Sequence, residues 1–347
     1  MKGGSDSAPM VSVIIPTRDR AEDLAQSLPF VLANDYPNFE VIVVDQSTTD
    51  ASRSVVMEAA SGARGQGRQW ELVVAEDGAE EGGERGTEIN DAPSHRLVYR
   101  RTPTVGVSRS LNEGVRYAQA DIMAFTPDDS TVPGDWLRRA TEVLEREPQA
   151  GIVFGAVAAE RHDWQRTFVP SFMPKSYRRL QGALARARLR GVMGANMIIR
   201  RAVFERVGRF DEFLGTGCRF RSAEDSDLAY RALRLGFAVV LDPRNEVLHW
   251  GTRDYTDQSA QHLIRNTRYG VGAFFAKHLR CGDPLAAYAL LAEAFRGSTY
   301  LVSNVVKHRR LTGAGHLLYL MMGLMAGFRQ PVDHRRRLFV PVGREQR

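Results

Sequence analysis

The chain has 347 residues, 43% hydrophobic and 25% charged, with a formal charge of +6. This is the balance of a soluble globular protein, long enough for one large or two modest domains. Two distant cysteines, Cys218 and Cys281, without CxxC spacing, argue against a disulfide framework or a structural zinc site and make a reducing, cytoplasmic setting the expectation.

The opening MKGGSDSAPM holds no apolar run, so no signal peptide is expected. VSVIIP (11–16) and FEVIVVD (39–45) are β-branched runs that read as buried parallel strands. The helix predicted between them opens with Asp19 and, three residues on, Glu22, a capping-box spacing. Pro29 is expected to kink it. STTDASRSVVMEAA reads as a second helix. The chain then turns irregular, and EDGAEEGGERGTEIND (76–91), with seven acids and one Arg, reads as a mobile acidic loop. RLVYRR is extended, VSRSLNEGVRYAQA helical, DIMAFT (121–126) a strand and DWLRRATEVLERE a helix. Strand and helix alternate throughout these 150 residues, the pattern of an open α/β sheet.

The second part is more mixed. GIVFGAVAA and GVMGANMIIR read as strands, separated by a poorly periodic basic stretch at 165–190. RAVFERVG is a short helix, and SAEDSDLAYRALRLG is a longer one expected to start at Ser222. FAVVLDP follows as a strand, then EVLHWG, and from about residue 257 the chain reads as helices. The longest apolar run there, LLYLMMGLMAGF (317–328), is well short of the roughly 20 residues a spanning helix needs. From Arg280 onward eleven Lys and Arg face four Asp and Glu, a charge of +7 against −1 for the rest. Such a tail suits either an anionic membrane surface or a solvated helix packed on the domain. Nucleic acid is not expected, because no stacking aromatics interleave with the basic residues.

Ligands of an open parallel sheet bind beyond the carboxyl ends of its strands. Three such ends are polar: Thr17 and Arg18, then Asp45, then Asp128 with Asp129. Adjacent carboxylates can grip a hard divalent cation completed by phosphates, while Pro-Asp-Asp-Ser is equally good turn chemistry. Asp45 reads alone as a helix cap. No G-x-G-x-x-G follows the first strand and no P-loop motif occurs. In SAEDSD (222–227), Ser222 and Asp225 have cap spacing. Three acids, Glu224, Asp225 and Asp227, exceed what a cap requires, and a carboxylate beside the glycine-rich GTGCRFR suits a general base. His249, between Leu248 and Trp250, reads by itself as structural, though imidazole is a good metal ligand. Arg109 and Asn112 suit phosphate or sugar oxygens as well as a helix surface.

The order of VSVIIPTRDR, VIVVDQSTTD, GVSRSLNEGVRYAQADIMAFTPDDS, GANMIIRRAVFERVGRFDE and EDSDLAYRALRLGFAVVLDP resembles the family 2 glycosyltransferases of GT-A fold, over residues 11 to about 250. The resemblance implies an α/β fold with a mostly parallel nucleotide-binding sheet flanked by helices, and a helical C-terminal extension. Its expected divisions are a flexible terminus (1–10), a glycosyltransferase domain (11–256, with a nucleotide half 11–135 and an acceptor half 136–256) and a basic extension (257–347). It implies inverting transfer from a nucleotide sugar, a UDP-sugar first among candidates, with Mn²⁺ or Mg²⁺, to a glycan or lipid-linked acceptor in cell-surface polysaccharide or glycolipid assembly. Thr17 and Asp45 match residues that meet base and ribose. Pro16, Arg18, Ser47, Arg109, Asn112 and Asp128 complete the expected donor contacts. Asp128 and Asp129 match the DXD region, Asp225 with Glu224 the catalytic ED pair, and His249 a metal ligand. Pro127 replaces the first of three acids common among relatives, which puts the ribose contact in doubt. The competing readings are a sugar-nucleotidyltransferase and a non-catalytic nucleotide- or glycan-binding scaffold of the same fold. Peripheral membrane contact through the extension is a further expectation.

Overall fold

Apolar runs that lack polar alternation must be covered on both faces. The runs at 11–17 and 39–45 form β1 (Val11–Thr17) and β2 (Phe39–Asp45), joined through α1 (Ala21–Leu32) and paired in parallel, Val13 opposite Val41. The structure, a computed structural model, describes residues 8–63, 70–75, 95–189, 191–308 and 314–342. The acidic stretch 76–91 lies outside them. After α2 (Ala51–Ala63), β3 (Trp70–Ala75) and β4 (His95–Arg101) extend the sheet in parallel from β2. Strand β3 is a correction, since that stretch reads as irregular in the sequence. Helix α3 (Val107–Tyr117) leads to β5 (Ile122–Phe125) on the other side of β1. Val13 and Ile15 pack on one face, with Val41 and Val43. Ile14 packs on the other, with Ile42 and Val44.

Beyond β5 come β6 (Ser130–Thr131), α4 (Trp136–Arg146), β7 (Ala150–Ala159), β8 (Thr167–Phe168), β9 (Arg178–Leu180) and α5 (Ala183–Arg188). The basic stretch 165–190 is therefore more structured than its weak periodicity suggests. GVMGANMIIR, expected as a strand, is a 3₁₀ turn at Gly194–Asn196 followed by a short β10 (Met197–Arg200). Its Asn196 amide is spent on Ala156 O and Asn245 O, while its oxygen accepts the Trp136 indole N–H. Helices α6 (Arg201–Val207) and α7 (Glu224–Arg234) precede β11 (Ala238–His249), one strand that runs on from FAVVLDP into EVLHWG, with its register shifted between Asp242 and Glu246. Strand β12 (Arg253–Asp254) pairs with β8. The sheet order is β3-β4-β2-β1-β5-β10-β7-β11-β6, with β9 beside β11 and β10 antiparallel to both neighbours.

The chain ends in α8 (Ser259–Arg280), α9 (Pro284–His308), α10 (Ala314–Arg329) and a hairpin of β13 (Val332–Asp333) and β14 (Leu338–Phe339). Glycines let α8 and α10 touch. A Cβ at Gly272 would stand 2.1 Å from Leu320 O, and one at Gly323 1.9 Å from Tyr269 O. Helix α8 also presses on the entry to α7, where a Cβ at Gly270 would lie 2.7 Å from Ser222 O. Below that contact the fully buried Lys277 ammonium lies 2.6 Å from Asp211 Oδ2 and 2.7 Å from Asp227 Oδ1. Asp227 also binds Arg231 Nε at 2.8 Å and His278 Nε2 at 2.9 Å.

Candidate active site

Strand ends and one helix start meet around a cleft of about 770 Å³. Pro16 and Thr17, at the end of β1, and Phe125 through Asp129, beyond β5, form one wall. Glu224 and Asp225, at the start of α7, face it, and Leu263, Thr267 and Arg268 of α8 close the far side. Asp128 and Asp129 are nearly fully buried. The Thr17 hydroxyl donates to Asp128 Oδ2 at 2.7 Å. Pairing of β6 with β11 sets His249 opposite Ser130, which carries its imidazole to Asp129, Nε2 to Oδ1 at 3.1 Å. The other ring nitrogen faces Pro170 O at 3.1 Å. Gly251 allows the backbone to pass here, since a Cβ there would meet Asp129 Oδ2 at 2.3 Å.

Arg20, which motif reading passed over, completes this wall. Its NH1 lies 3.0 Å from Asp128 Oδ1 and its NH2 2.8 Å from Asp129 Oδ2, while Nε donates to Asp23 Oδ2 at 2.9 Å. Asp23 in turn accepts the Trp250 indole N–H at 2.9 Å. Burial raises the Asp128 carboxyl to about 7, against the pull of Arg20 and Thr17. At Asp129 burial is outweighed by His249 and Arg20, which hold it well below the usual carboxylate range. No local signal points Arg20 to this wall, because its partners there, Asp128 and Asp129, lie more than a hundred residues away in the chain.

The expected helix caps do not form. Asp19 adopts φ 53° and its carboxylate accepts the Thr48 N–H and hydroxyl at 3.0 and 3.2 Å, so α1 has no side-chain cap. Helix α7 starts at Glu224 rather than Ser222, after Ala223 in the left-handed region at φ 77°. Asp225 is committed elsewhere: Oδ2 accepts the Gly194 N–H at 2.9 Å and Oδ1 the Ser226 N–H. The Asn196 clamp thus fixes the turn that orients Asp225. Burial raises both Glu224 and Asp225 above ordinary carboxylates, and at Glu224 the neighbouring Asp225 adds to it. The GTGCRFR loop is tied to α3, with Val107 N donating to Thr216 O at 2.9 Å and Ser108 Oγ to Leu214 O at 2.7 Å.

The remaining candidates spread outward. Arg18 lines the cleft and is largely exposed. Asp45 is fully buried; it accepts the Ser47 N–H at 2.8 Å and the Tyr99 hydroxyl at 2.7 Å rather than capping α2. Ser47 Oγ accepts the Asp19 N–H at 2.7 Å. Asn112 clamps Phe210, through its N–H at 2.9 Å and its O at 3.1 Å. Arg109 donates to Val105 O at 2.8 Å on the exposed side of α3.

Two carboxylates and an imidazole form a donor set that suits Mn²⁺ or Mg²⁺ with phosphate oxygens as further ligands. Among the described residues no group of three or more His, Cys, Asp and Glu stands ready for a metal. The guanidinium of Arg20 lies between the two carboxylates instead.

The profile of glycosyl transferase family 2 matches residues 12–208, and that of glycosyl transferase family group 2 matches residues 127–338. The chain belongs to glycosyl transferase family 2. It is 27% identical over 187 residues to the glucosyl-dolichyl phosphate glucuronosyltransferase of Haloferax volcanii, covering 52% of this chain and 58% of that one. It is 24% identical over 262 residues to the uncharacterized protein y4gI of Sinorhizobium fredii, covering 70% of this chain and 25% of the relative. The chain thus spans little more than half of one curated relative and a quarter of the other. The mannosyltransferase PcManGT of Pyrobaculum calidifontis, solved with GDP-Man and Mn²⁺, superposes with a TM-score of 0.56 at 20% identity, covering 93% of this chain and 88% of that one. The glycosyltransferase therefore has the GT-A fold, as its sequence motifs imply.

Proposed function

We propose that this glycosyltransferase is inverting and metal-dependent, and moves a sugar from a nucleoside-diphosphate sugar to an acceptor hydroxyl. The observation that carries the reading is a single cleft with Asp128, Asp129 and His249 on one wall and the Glu224–Asp225 pair on the other. Asp128, Asp129 and His249 would hold the cation, which when bound neutralises charge on the departing diphosphate. Asp225 takes the proton from the acceptor hydroxyl as that oxygen attacks the anomeric carbon and the bond to the diphosphate breaks. Gly194 N–H and Ser226 N–H orient the carboxylate, and the proton ends on Asp225. Glu224 stands beside it, its own carboxyl raised by burial and by the charge of Asp225. Pro16, Thr17, Arg18, Asp45 and Ser47 are proposed to shape the nucleoside end. Arg109 and Asn112 stand farther out and are proposed to support the donor indirectly, through the loop at 210–217.

UDP-sugars are proposed as donors, and the solved relative with GDP-Man puts GDP-sugars in the same panel. The acceptor is proposed to be lipid-linked, in cell-surface polysaccharide or glycolipid assembly. Two observations favour this over a free glycan. The α8 side of the cleft is apolar around Leu263, Ile264 and Val271. Apolar side chains also line exposed stripes at 288, 291, 295, 302 and 306 of α9 and at 318, 321, 325 and 328 of α10. Among the described residues no helix is long and apolar enough to cross a membrane, so contact would be peripheral, aided by the basic tail.

The test is release of nucleoside diphosphate from UDP- and GDP-sugars with Mn²⁺ or Mg²⁺, with and without polyprenyl-phosphate-linked acceptors. Absence of donor binding and turnover with every metal would reject the reading. Asp225→Asn should keep donor affinity within about threefold and lower transfer by about a hundredfold or more, in the range of general-base losses. Equal loss of donor binding and transfer would remove Asp225 from its role.

A further inference from the structure

From the geometry of the donor wall we infer that Arg20 is an internal counter-ion of the DXD carboxylates, which holds their cation position until a divalent ion and nucleotide displace it. The inference rests on the proposed metal-dependent reading. Asp128 and Asp129 are adjacent and nearly fully buried. Two ionised carboxylates in that position repel each other and are costly to desolvate unless a cation stands between them. The Arg20 fork supplies one, placing a different nitrogen on each carboxylate, at 3.0 and 2.8 Å. A metal bridging the same oxygens and the guanidinium cannot occupy one place. The Arg20 side chain is 34% exposed whereas its partners are 4% and 3% exposed, so it covers the carboxylates from the solvent side and has an open way out.

The exit also has a holding point. Arg20 Nε is bonded to Asp23, itself fixed by the Trp250 indole. Asp23 lies outside the metal-binding set, so the arginine keeps an ionic partner after leaving Asp128 and Asp129. Once displaced, its guanidinium stays at the rim of the donor wall, where its planar fork suits a diphosphate. Metal affinity of the nucleotide-free protein is therefore set lower than the carboxylates alone would give, and metal and nucleotide bind with mutual assistance. Reciprocity of the coupling is required thermodynamically.

Mn²⁺ binding, followed by the loss of the free-ion electron paramagnetic resonance signal, tests this without turnover. Wild type, Arg20→Gln, Arg20→Lys and Arg138→Gln are titrated alone and with UDP or GDP. Arg138→Gln removes the same charge from an exposed site on α4. Without nucleotide, Arg20→Gln should bind Mn²⁺ about tenfold or more tightly than wild type, and Arg138→Gln should match wild type. The nucleotide should strengthen Mn²⁺ binding less in Arg20→Gln than in wild type. Arg20→Lys keeps the charge but loses the two-pronged contact, and should gain a smaller factor; it decides the matter if Arg20→Gln does not fold. Equal or weaker Mn²⁺ binding in the folded Arg20 variants, with wild type binding Mn²⁺ in the presence of nucleotide, overturns the inference alone. No Mn²⁺ binding by any protein, with or without UDP or GDP, overturns the metal-dependent reading as well.

Discussion

In the proposed reaction Asp225 accepts a proton, and its surroundings make it a better base than an exposed aspartate. Burial disfavours its charge, while the Gly194 and Ser226 amides keep the charged form oriented. The acidic limb of kcat, measured with saturating donor and acceptor, should therefore lie above the ordinary aspartate value of about 4. Activity rises with pH as Asp225 loses its proton, so the limb ascends. Replacing the residue that orients it, with Asn196→Ala, should lower kcat without moving this limb. A limb at the ordinary value would mean that another group titrates. The placement of these residues was legible in the sequence: Asp128 and Asp129 follow a strand and the Glu224–Asp225 pair opens a helix, where local pattern marks them. Arg20 was not, because nothing in PTRDR announces carboxylates 108 and 109 positions away. His249 is intermediate. Its residue type raises the idea of a ligand, but only the pairing of β6 with β11 delivers it to Asp129.

At the scale of elements, the sheet was the legible part and the helix entries were not. Runs such as VIVVD admit few alternatives once both faces must be covered. Capping boxes at Asp19 and Ser222 fitted the sequence yet lost to tertiary partners, Thr48 for Asp19 and Gly194 for Asp225. Edge strand β3 was missed because WELVVA is short and follows a polar stretch. The pairing of α8 with α10 depends on glycine at 272 and 323, where backbones rather than side chains meet. Gly323→Leu should therefore force the helices apart and cost about 3 kcal/mol or more, beyond ordinary overpacking, read by denaturant unfolding. Gly315→Ala, with nothing among the described residues within 4 Å of its added carbon, should be neutral or mildly stabilising by about 0.5–1 kcal/mol. Equal effects at the two sites would refute the close-packing account.

Across the whole molecule, the C-terminal helices are held to the sheet domain by buried charge as well as apolar packing. Lys277→Met should destabilise the protein by about 3–5 kcal/mol, since it strands Asp211 and Asp227 without their ammonium. His278 belongs to the same cluster. Burial lowers it to about 4, with Asp227 pulling the other way. The unfolded chain takes up this proton near pH 6.5 and the folded one does not, so the His278 contribution is complete above about 6.5 and is lost as pH falls through about 4. The loss should approach about 3 kcal/mol and should be absent in a His278→Gln variant that unfolds cooperatively. The exposed stripes on α9 and α10 face outward from this anchored frame. Vesicles containing anionic lipid should sediment with the protein, less so at high salt, and Leu291→Gln with Phe295→Gln should weaken that association. Those two positions are about 70% exposed, so the stability of the variant should stay within about 0.5 kcal/mol.

The Lys277 cluster also bears on how relatives of this enzyme can be recombined. The boundary expected from the sequence at residues 256/257 invites a cut between the sheet domain and an interchangeable helical tail. The ammonium that neutralises Asp211 and Asp227 comes from the far side of that cut. Asp227 lies on the same helix as Asp225, two residues along. A graft that carries the C-terminal helices of another family member must bring a cation to this position or trade both aspartates for neutral residues. Otherwise the foreign tail alters the stability of the helix that carries the proposed base before any effect on the choice of acceptor can be read.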